Sequence, residues 1–534
     1  MTHQADSDRA RSPITHALAA LLVLVFAIAA ARPSAAQQPG IVDAVGVGAA
    51  GEDRGMDIVS DVDGNVFLTG SFHGAVDFDP GSGTAALTCE ACSSANPSSG
   101  DGYVASYDAF GGFRWAFRLG GGVTGSSGRS IAIDAYGNVV VAGYVRGIVD
   151  FDPGSGTANR GTSNVTSAFV AKYSSSGGYL WAFALAGASP MEDQETALAV
   201  QGAGDVVIAG TFSGTVDFDP GAGTATLKSA ASGYRGIASP DIYVARYSSS
   251  GAYRWAFRAG GPSTDMAQGV ALDQSGNVLV TGTFSGTVDF NPTKSINSLT
   301  SSSTIGGNMF VARYSSTGSY AWAIAALGTA MSEGLSIATD AGGNVVVGGW
   351  FDGTVDFDPG IGTASLANGG MFFARYNAAG GYLSAFSPGK GTTRAVKIDG
   401  DGNIVIAGHY HTTGDNVPND FDPGPGTASF MGNGAFVAKY TQMAGFLWVT
   451  GSTFDPTNPG SSVAHGLLID SFTRIVGTFN RSVDFDPGPD GTTLTASPPS
   501  GNDIFIASYA EQMMPKVSTG SDVAGPSQAP ASLR

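Results

Sequence analysis

Apolar and polar positions along this chain come in short blocks, and the spacing of an amphipathic helix is absent. In residues 129–187 the blocks separate cleanly. Residues 130–134 (Ser-Ile-Ala-Ile-Asp) alternate, 135–138 form a turn, and 139–144 (Val-Val-Val-Ala-Gly-Tyr) are apolar throughout. A polar loop follows, then 168–173 (Ala-Phe-Val-Ala-Lys-Tyr), a Ser/Gly turn, and 179–185 (Tyr-Leu-Trp-Ala-Phe-Ala-Leu). β-Branched and aromatic residues fill these blocks and turn residues bound them, so the segment predicts four short strands. The second block is apolar on both faces, as are 344–349 and 403–408, which demands cover on both sides of the sheet.

The four-strand unit recurs. Its marker is Asp-Phe-Asp-Pro, starting at Asp77, Asp150, Asp217, Asp289, Asp356, Asp420 and Asp484, with Asn291 replacing the second Asp of the fourth copy. A near-constant period of this size signals an array of one structural unit. Between the first two strands lies a second repeated phrase, Asp-x-x-Gly-Asn, beginning at Asp61, Asp134, Asp273, Asp340 and Asp399. Asp caps such a turn and Gly supplies its positive φ. Fourth strands follow six repeats but not the seventh, while 41–47 precedes the first repeat and belongs to none. The expected fold is all-β: a seven-bladed β-propeller of four-stranded antiparallel blades, closed by the N-terminal strand completing the last blade. Closure protects strand edges. Gly143, Gly210, Gly282, Gly348 and Gly408 are expected to let neighbouring sheets approach closely.

The phrase Asp-x-x-Gly-Asn-Val-x-Val-x-Gly-x-Phe-x-Gly-Thr-Val-Asp-Phe-Asp, as in 273–291, resembles the repeat of bacterial secreted seven-bladed β-propellers, the SBBP repeat family. The resemblance covers about residues 41–511. It implies an extracellular scaffold without a single family activity and carries over no catalytic residue. Repeats are placed at about 50–120, 121–187, 188–260, 261–328, 329–388, 389–451 and 452–511.

Composition alters this picture in a few places. Net charge is −18 and charged residues make up 13% of the chain, which disfavours nucleic acid and anionic lipid as partners. Arg9 and Arg11 precede an apolar run over 17–31, and Ser34-Ala35-Ala36 offers a cleavage site. Residues 1–36 are therefore expected to be a signal peptide. The run is shorter than the roughly 20 residues that span a bilayer, and the mature product is expected to be a monomer outside the cytoplasm, secreted, periplasmic or at the cell surface, without membrane insertion. Residues 37–511 form the propeller and 512–534 a polar, disordered tail. Cys89 and Cys92 are the expected pair of a local disulfide.

Candidate chemistry centres on the repeated carboxylates. Asp77, Asp79, Asp150, Asp152, Asp217, Asp219, Asp289, Asp356, Asp358, Asp420, Asp422, Asp484 and Asp486 could hold calcium through carboxylates and loop carbonyls. The competing reading, and the favoured one, is that Asp caps a turn while Phe packs between blades. Trp115, Trp181, Trp255, Trp322 and Trp448 share one position, where Ser384 stands in the fifth repeat, and inter-blade packing is favoured over sugar stacking. Trp350 stands apart from that row, as another core aromatic. His409 and His411, near Asp415 and Asp420, are read as an irregular surface loop rather than a metal or acid–base pair. His73 and His465 have no local partner set, and no spacing singles out two of Glu52, Glu192, Glu195 and Glu333 as a glycosidase pair. The chain is therefore expected to be a non-catalytic scaffold binding a protein or glycan, with no certain cofactor. Insertions at 88–101, 228–241 and 293–308 are the expected partner-facing loops. The alternatives are a polysaccharide lyase or hydrolase with its site in the central channel, and a calcium-stabilised adhesion or glycan-binding protein.

Overall fold

The computed structural model describes residues 38–511 apart from 91, 93–99, 121–124, 189–195, 203, 231–237, 294, 413–416, 455–459, 487–490 and 498–500. The expected signal (1–36), the tail (512–534), Glu192, Glu195, Asp415, Pro487 and parts of the insertions lie outside the described residues.

Among the described residues the regular structure is all strand, arranged in seven four-stranded antiparallel sheets with smaller two- and three-stranded ribbons. In chain order the sheets begin with Arg54–Ser60, Ser126–Ile133, Ala197–Val200, Met266–Leu272, Ser332–Thr339, Gly391–Ile398 and Ser461–Ile469. Six sheets take their four strands consecutively. The seventh takes three and is completed by Gly40–Val47, the first strand of the chain, which runs antiparallel to Asn502–Ala510. First strands of successive sheets touch in chain order, and that of the seventh touches that of the first.

The cores lie between adjacent sheets, which is why second strands are apolar on both faces. In Val206–Phe212 every residue is buried. Val206 and Ile208 pack with Val140 and Ala142 of the sheet before, whereas Val207 and Ala209 pack with Val278 and Val280 of the sheet after.

The Asp-x-x-Gly-Asn phrase behaves as expected. Asp134 Oδ1 accepts the backbone N–H groups of Tyr136 and Asn138, each at 2.9 Å, and Gly137 adopts φ 77°. Asp273 and Asp399 repeat these bonds. A feature absent from the sequence reading is the cation behind three of these caps. Lys172 reaches Asp134 at 2.7 Å, Arg313 reaches Asp273 at 2.5 Å and Lys439 reaches Asp399 at 2.9 Å. Burial opposes ionisation of Asp134, but the Lys172 ammonium and Asn138 outweigh it and hold the carboxyl below the usual range.

Asp-Phe-Asp terminates a short ribbon between the second and third strands, such as Thr215–Asp217 paired with Thr226–Lys228. Asp217 Oδ1 accepts the N–H groups of Asp219 (3.1 Å) and Ala225 (2.8 Å), and Asp219 Oδ1 accepts that of Gly221 (2.8 Å). The intervening Phe218 is fully buried, and its ring lies 5.0 Å from Tyr243 of the same sheet. All seven of these Phe residues are at most 1% exposed. Their carbonyls are satisfied by a tyrosine at the end of the third strand: Tyr107, Tyr173, Tyr247, Tyr314, Tyr376, Tyr440 and Tyr509 donate to Phe78, Phe151, Phe218, Phe290, Phe357, Phe421 and Phe485 at 2.9–3.3 Å.

The Trp row is inter-sheet packing. The indole N–H of Trp115 donates to Ser175 O, Trp181 to Ser249 O, Trp255 to Ser316 O and Trp322 to Ala378 O, each acceptor lying in the next sheet. Two residues on, Phe117, Phe183 and Phe257 pack at 4.4–4.7 Å against Tyr173, Tyr247 and Tyr314 of the next sheet.

The expected role of the second-strand glycines needs correction. A Cβ on Gly348 would meet Thr393 and Val396 of the following sheet at 2.5 Å, as expected, but the other glycines serve their own sheet. A Cβ on Gly143 would lie 2.0 Å from Ser127 O, on Gly282 2.0 Å from Met266 O, and on Gly408 2.0 Å from Thr392 O; Gly210 faces Tyr243. The carbonyls intrude because the adjoining first strand is bulged there.

Candidate functional site

In six sheets the ladder register skips one residue of the first strand: Met56, Arg129, Gln268, Leu335, Arg394 and His465 each fall at a register shift. Such a bulge kinks the strand and re-aims a side chain. All six, together with Thr196 just ahead of the third sheet's first strand, line a cavity of about 410 Å³ walled by the first strands of all seven sheets. Opposite each bulge stands a glycine, Gly70, Gly143, Gly282, Gly349, Gly408 or Gly477, where a Cβ would lie 1.8–2.0 Å from the carbonyl oxygen two residues before the bulged one.

The charged lining residues among those described are Arg129, Arg394, Lys397 and a single acid, Asp57. Asp57 joins the first two sheets: Oδ2 accepts Ile131 N–H at 2.9 Å and Ser130 Oγ–H at 3.2 Å, while Oδ1 accepts Ile58 N–H. Burial raises its carboxyl above the usual range, and Lys397 opposes that rise. Ser336 makes the corresponding link between the fifth and sixth sheets by accepting Val396 N–H at 3.0 Å.

His465 is half-buried in the cavity wall, its Nε2 3.4 Å from Thr478 Oγ1. Removal from water, then the positive charges of Arg394, Arg54, Arg129 and His409, push its pKa well below the ordinary histidine value, so it is neutral at pH 7. Arg129 stacks over Tyr144 at 5.3 Å. His409 and His411 occupy the regular strand Ile404–His411, not the irregular loop expected, with rings 6.0 Å apart. Burial, then Arg394 and His411, lower His409 to about 4.

The other candidates sort as follows. The Asp-Phe-Asp carboxylates stand apart from the cavity lining and act as turn caps, and no group of three or more His, Cys, Asp or Glu is placed to hold a metal ion among the described residues. Cys89 and Cys92 form a disulfide. Trp350 donates its indole N–H to Glu333 at 2.9 Å, and Glu52 lies 4.0 Å from Arg54. Apart from His465, which was noted without a partner set, the cavity residues went unnoticed in the sequence because they share no residue type. Their signal is position: Met56, Arg129, Gln268, Leu335 and Arg394 stand 14 residues ahead of Gly70, Gly143, Gly282, Gly349 and Gly408, and His465 stands 12 ahead of Gly477.

Four-stranded antiparallel sheets repeated along an all-β chain place the protein in the class of β-propeller repeat proteins. The chain is similar to the uncharacterized WD repeat-containing protein L264 of Acanthamoeba polyphaga mimivirus, at 22% identity over 456 residues, 71% of this chain and 32% of that protein. It therefore spans about a third of that relative's length. Among solved structures it is similar to Raptor of Chaetomium thermophilum (9% identity, TM-score 0.43, 89% of this chain and 30% of that one). It is also similar to the Dos1 propeller (10% identity, TM-score 0.39, 88% and 95%). No family model matches the chain.

Proposed function

We propose that the protein is an exported, seven-bladed propeller of the SBBP-repeat kind, closed by its N-terminal strand, that binds a protein or glycan at the mouth of its central cavity without chemical turnover. The observation that carries this reading is the set of first-strand bulges, which aim side chains of different chemistry into one cavity. Pairing of Gly40–Val47 with Asn502–Ala510 and the cyclic contacts between first strands support closure. The Cys89–Cys92 disulfide suits an oxidising compartment. The test is a glycan and peptide array probed with the chain from residue 38 and with an Arg129→Gln/Arg394→Gln variant. Capture by the first and its loss in the second are expected; capture unaffected by the substitutions would contradict the assigned site.

A second reading draws on neutral His465 beside arginines. A lyase acting on an acidic polysaccharide needs a proton acceptor and cations near the uronate, and both are present in the cavity wall. Ultraviolet absorbance of new unsaturated chain ends during incubation with such polysaccharides would establish this reading against the first.

A further inference from the structure

Four joints between consecutive sheets are sealed alike. Trp115, Trp181, Trp255 and Trp322 lie over the glycine of the next hairpin, where a Cβ on Gly177, Gly251, Gly318 or Gly380 would meet the indole at 3.1–3.2 Å. Each donates its N–H to the carbonyl two residues before that glycine. Three of these carbonyls also accept a cation of the preceding sheet, Lys172, Arg246 or Arg313. After the fifth sheet Ser384 replaces the tryptophan, and there the hairpin glycine becomes Ala444, at φ 64°, which packs against the core. The joint between the seventh sheet and the first has no such compensation. Asp43 pairs with Ser508 and Val45 with Ile506, as Trp181 pairs with Lys172 and Phe183 with Val170, so an exposed Asp43 stands in the tryptophan position. The hairpin keeps its glycine, Gly111, and a Cβ there would meet nothing within 4 Å. The carbonyl of Ala109 keeps a cation, Arg474 at 3.4 Å, without an indole.

The space over Gly111 is a cleft of about 170 Å³ walled by Val42, Val45, Phe110, Phe472 and Ile506. An apolar cavity of roughly 150 Å³ is enough to bind a benzene ring. At the rim Phe110 stands where the other hairpins carry Ser176, Ser250, Thr317 or Ala379, and it is 96% exposed. With Val42, 52% exposed, it offers apolar surface that a ligand would take out of water. We propose that this cleft is a docking site for a tryptophan side chain of a partner polypeptide, its ring over Gly111 and its N–H on the carbonyl of Ala109. The chain's own six tryptophans are placed elsewhere, five in the fourth-strand row and Trp350 against Glu333, so neither this chain nor a second copy supplies the indole. The cleft shares no lining residue with the central cavity. It goes beyond the function proposed above and relies on ring closure only through the pairing of Gly40–Val47 with Asn502–Ala510.

The test is isoleucine-methyl NMR of the chain from residue 38, the compact unit that holds the fold, with the Ile506 signal identified by its loss in Ile506→Val. N-acetyl-tryptophanamide is titrated in, and N-acetyl-leucinamide serves as the apolar control. A saturable shift of Ile506 with the tryptophan amide is expected, at about tenfold lower concentration than any shift with the leucine amide. Phe110→Ser is expected to weaken it about tenfold. An Ile506 signal that both amides leave unmoved, or move equally, would overturn the proposal, and this arm needs no substituted cleft. Asp43→Trp supplies an indole from the chain's own strand: Ile506 should be displaced before any probe is added and should then ignore the tryptophan amide. The same variant separates the docking site from the joint that forms it. If the amides fail but Ile506 is displaced in Asp43→Trp, the docking site falls and the joint stands; if Ile506 is unmoved there too, the pairing of the first and last strands falls with it.

Discussion

Replacing Gly408 by Ala tests the link between the glycines and the bulges. A Cβ there would sit 2.0 Å from Thr392 O, more than 1 Å inside the roughly 3.3 Å at which carbon and oxygen ordinarily meet. The carbonyl belongs to a strand held on both sides of the bulge, with Thr393 opposite Gly408 and Ala395 opposite Ala407, so it cannot swing away alone. Relief requires flattening the bulge at Arg394, at the expense of one or two ladder hydrogen bonds worth about 0.5–1.5 kcal/mol each. Overpacking strain adds about 1–3 kcal/mol. The expected loss is therefore about 2–5 kcal/mol, accompanied by withdrawal of Arg394 from the cavity. Gly400, in the hairpin of the same sheet, is the control: a Cβ there meets nothing within 4 Å, and Gly400→Ala should be neutral or stabilising by up to about 1 kcal/mol. Urea unfolding followed by tryptophan fluorescence measures both. If Gly408→Ala falls within about 0.5 kcal/mol of Gly400→Ala, the steric reasoning for the bulges is wrong.

Tyr440→Phe leaves the carbonyl of buried Phe421 without its 3.0 Å donor and should cost about 1–2 kcal/mol; Tyr173→Phe should act alike, and the pair should add, which a double-variant melt checks. Asp53 and Asp265 are fully buried, and burial lifts each carboxyl from 3.8 to about 7 against the backbone N–H groups they accept. Because the folded state holds these protons more tightly, their stabilisation is complete below pH 3.8 and lost as pH rises through 7, so urea midpoints should fall between pH 5 and pH 8. If the Asp-Phe-Asp carboxylates are turn caps, chelator should leave the melting temperature unchanged; a drop of several degrees would establish the calcium reading instead.

The repeat, the four strands of each unit and the capped hairpins were legible because each rests on local chemistry: alternation, an Asp acceptor, a Gly at positive φ. The orphan strand at residue 41 was legible by counting. Two features depended on contacts distant in sequence. The tyrosines ending the third strands bond to Phe carbonyls 19 to 29 residues away, across loops of unequal length. The cavity residues are Met, Arg, Gln, Leu and His, which composition and motif treat as unrelated until the strand register reveals that each falls at a bulge. The His409 and His411 strand was misjudged because the Gly- and Asp-containing segment after it reads as irregular, whereas both residues pair with the third strand of their sheet.

Closure of the ring is the claim on which the cavity depends, and a disulfide measures it most directly. Val45 and Ile506 are cross-strand partners between the first and last strands. In a Val45→Cys/Ile506→Cys variant, mild oxidation at low protein concentration should link the two positions within one chain. Mass spectrometry should then find the joined peptide, and the denatured, unreduced protein should migrate faster than its reduced form. Free thiols at both positions, or links only between separate chains, would contradict closure.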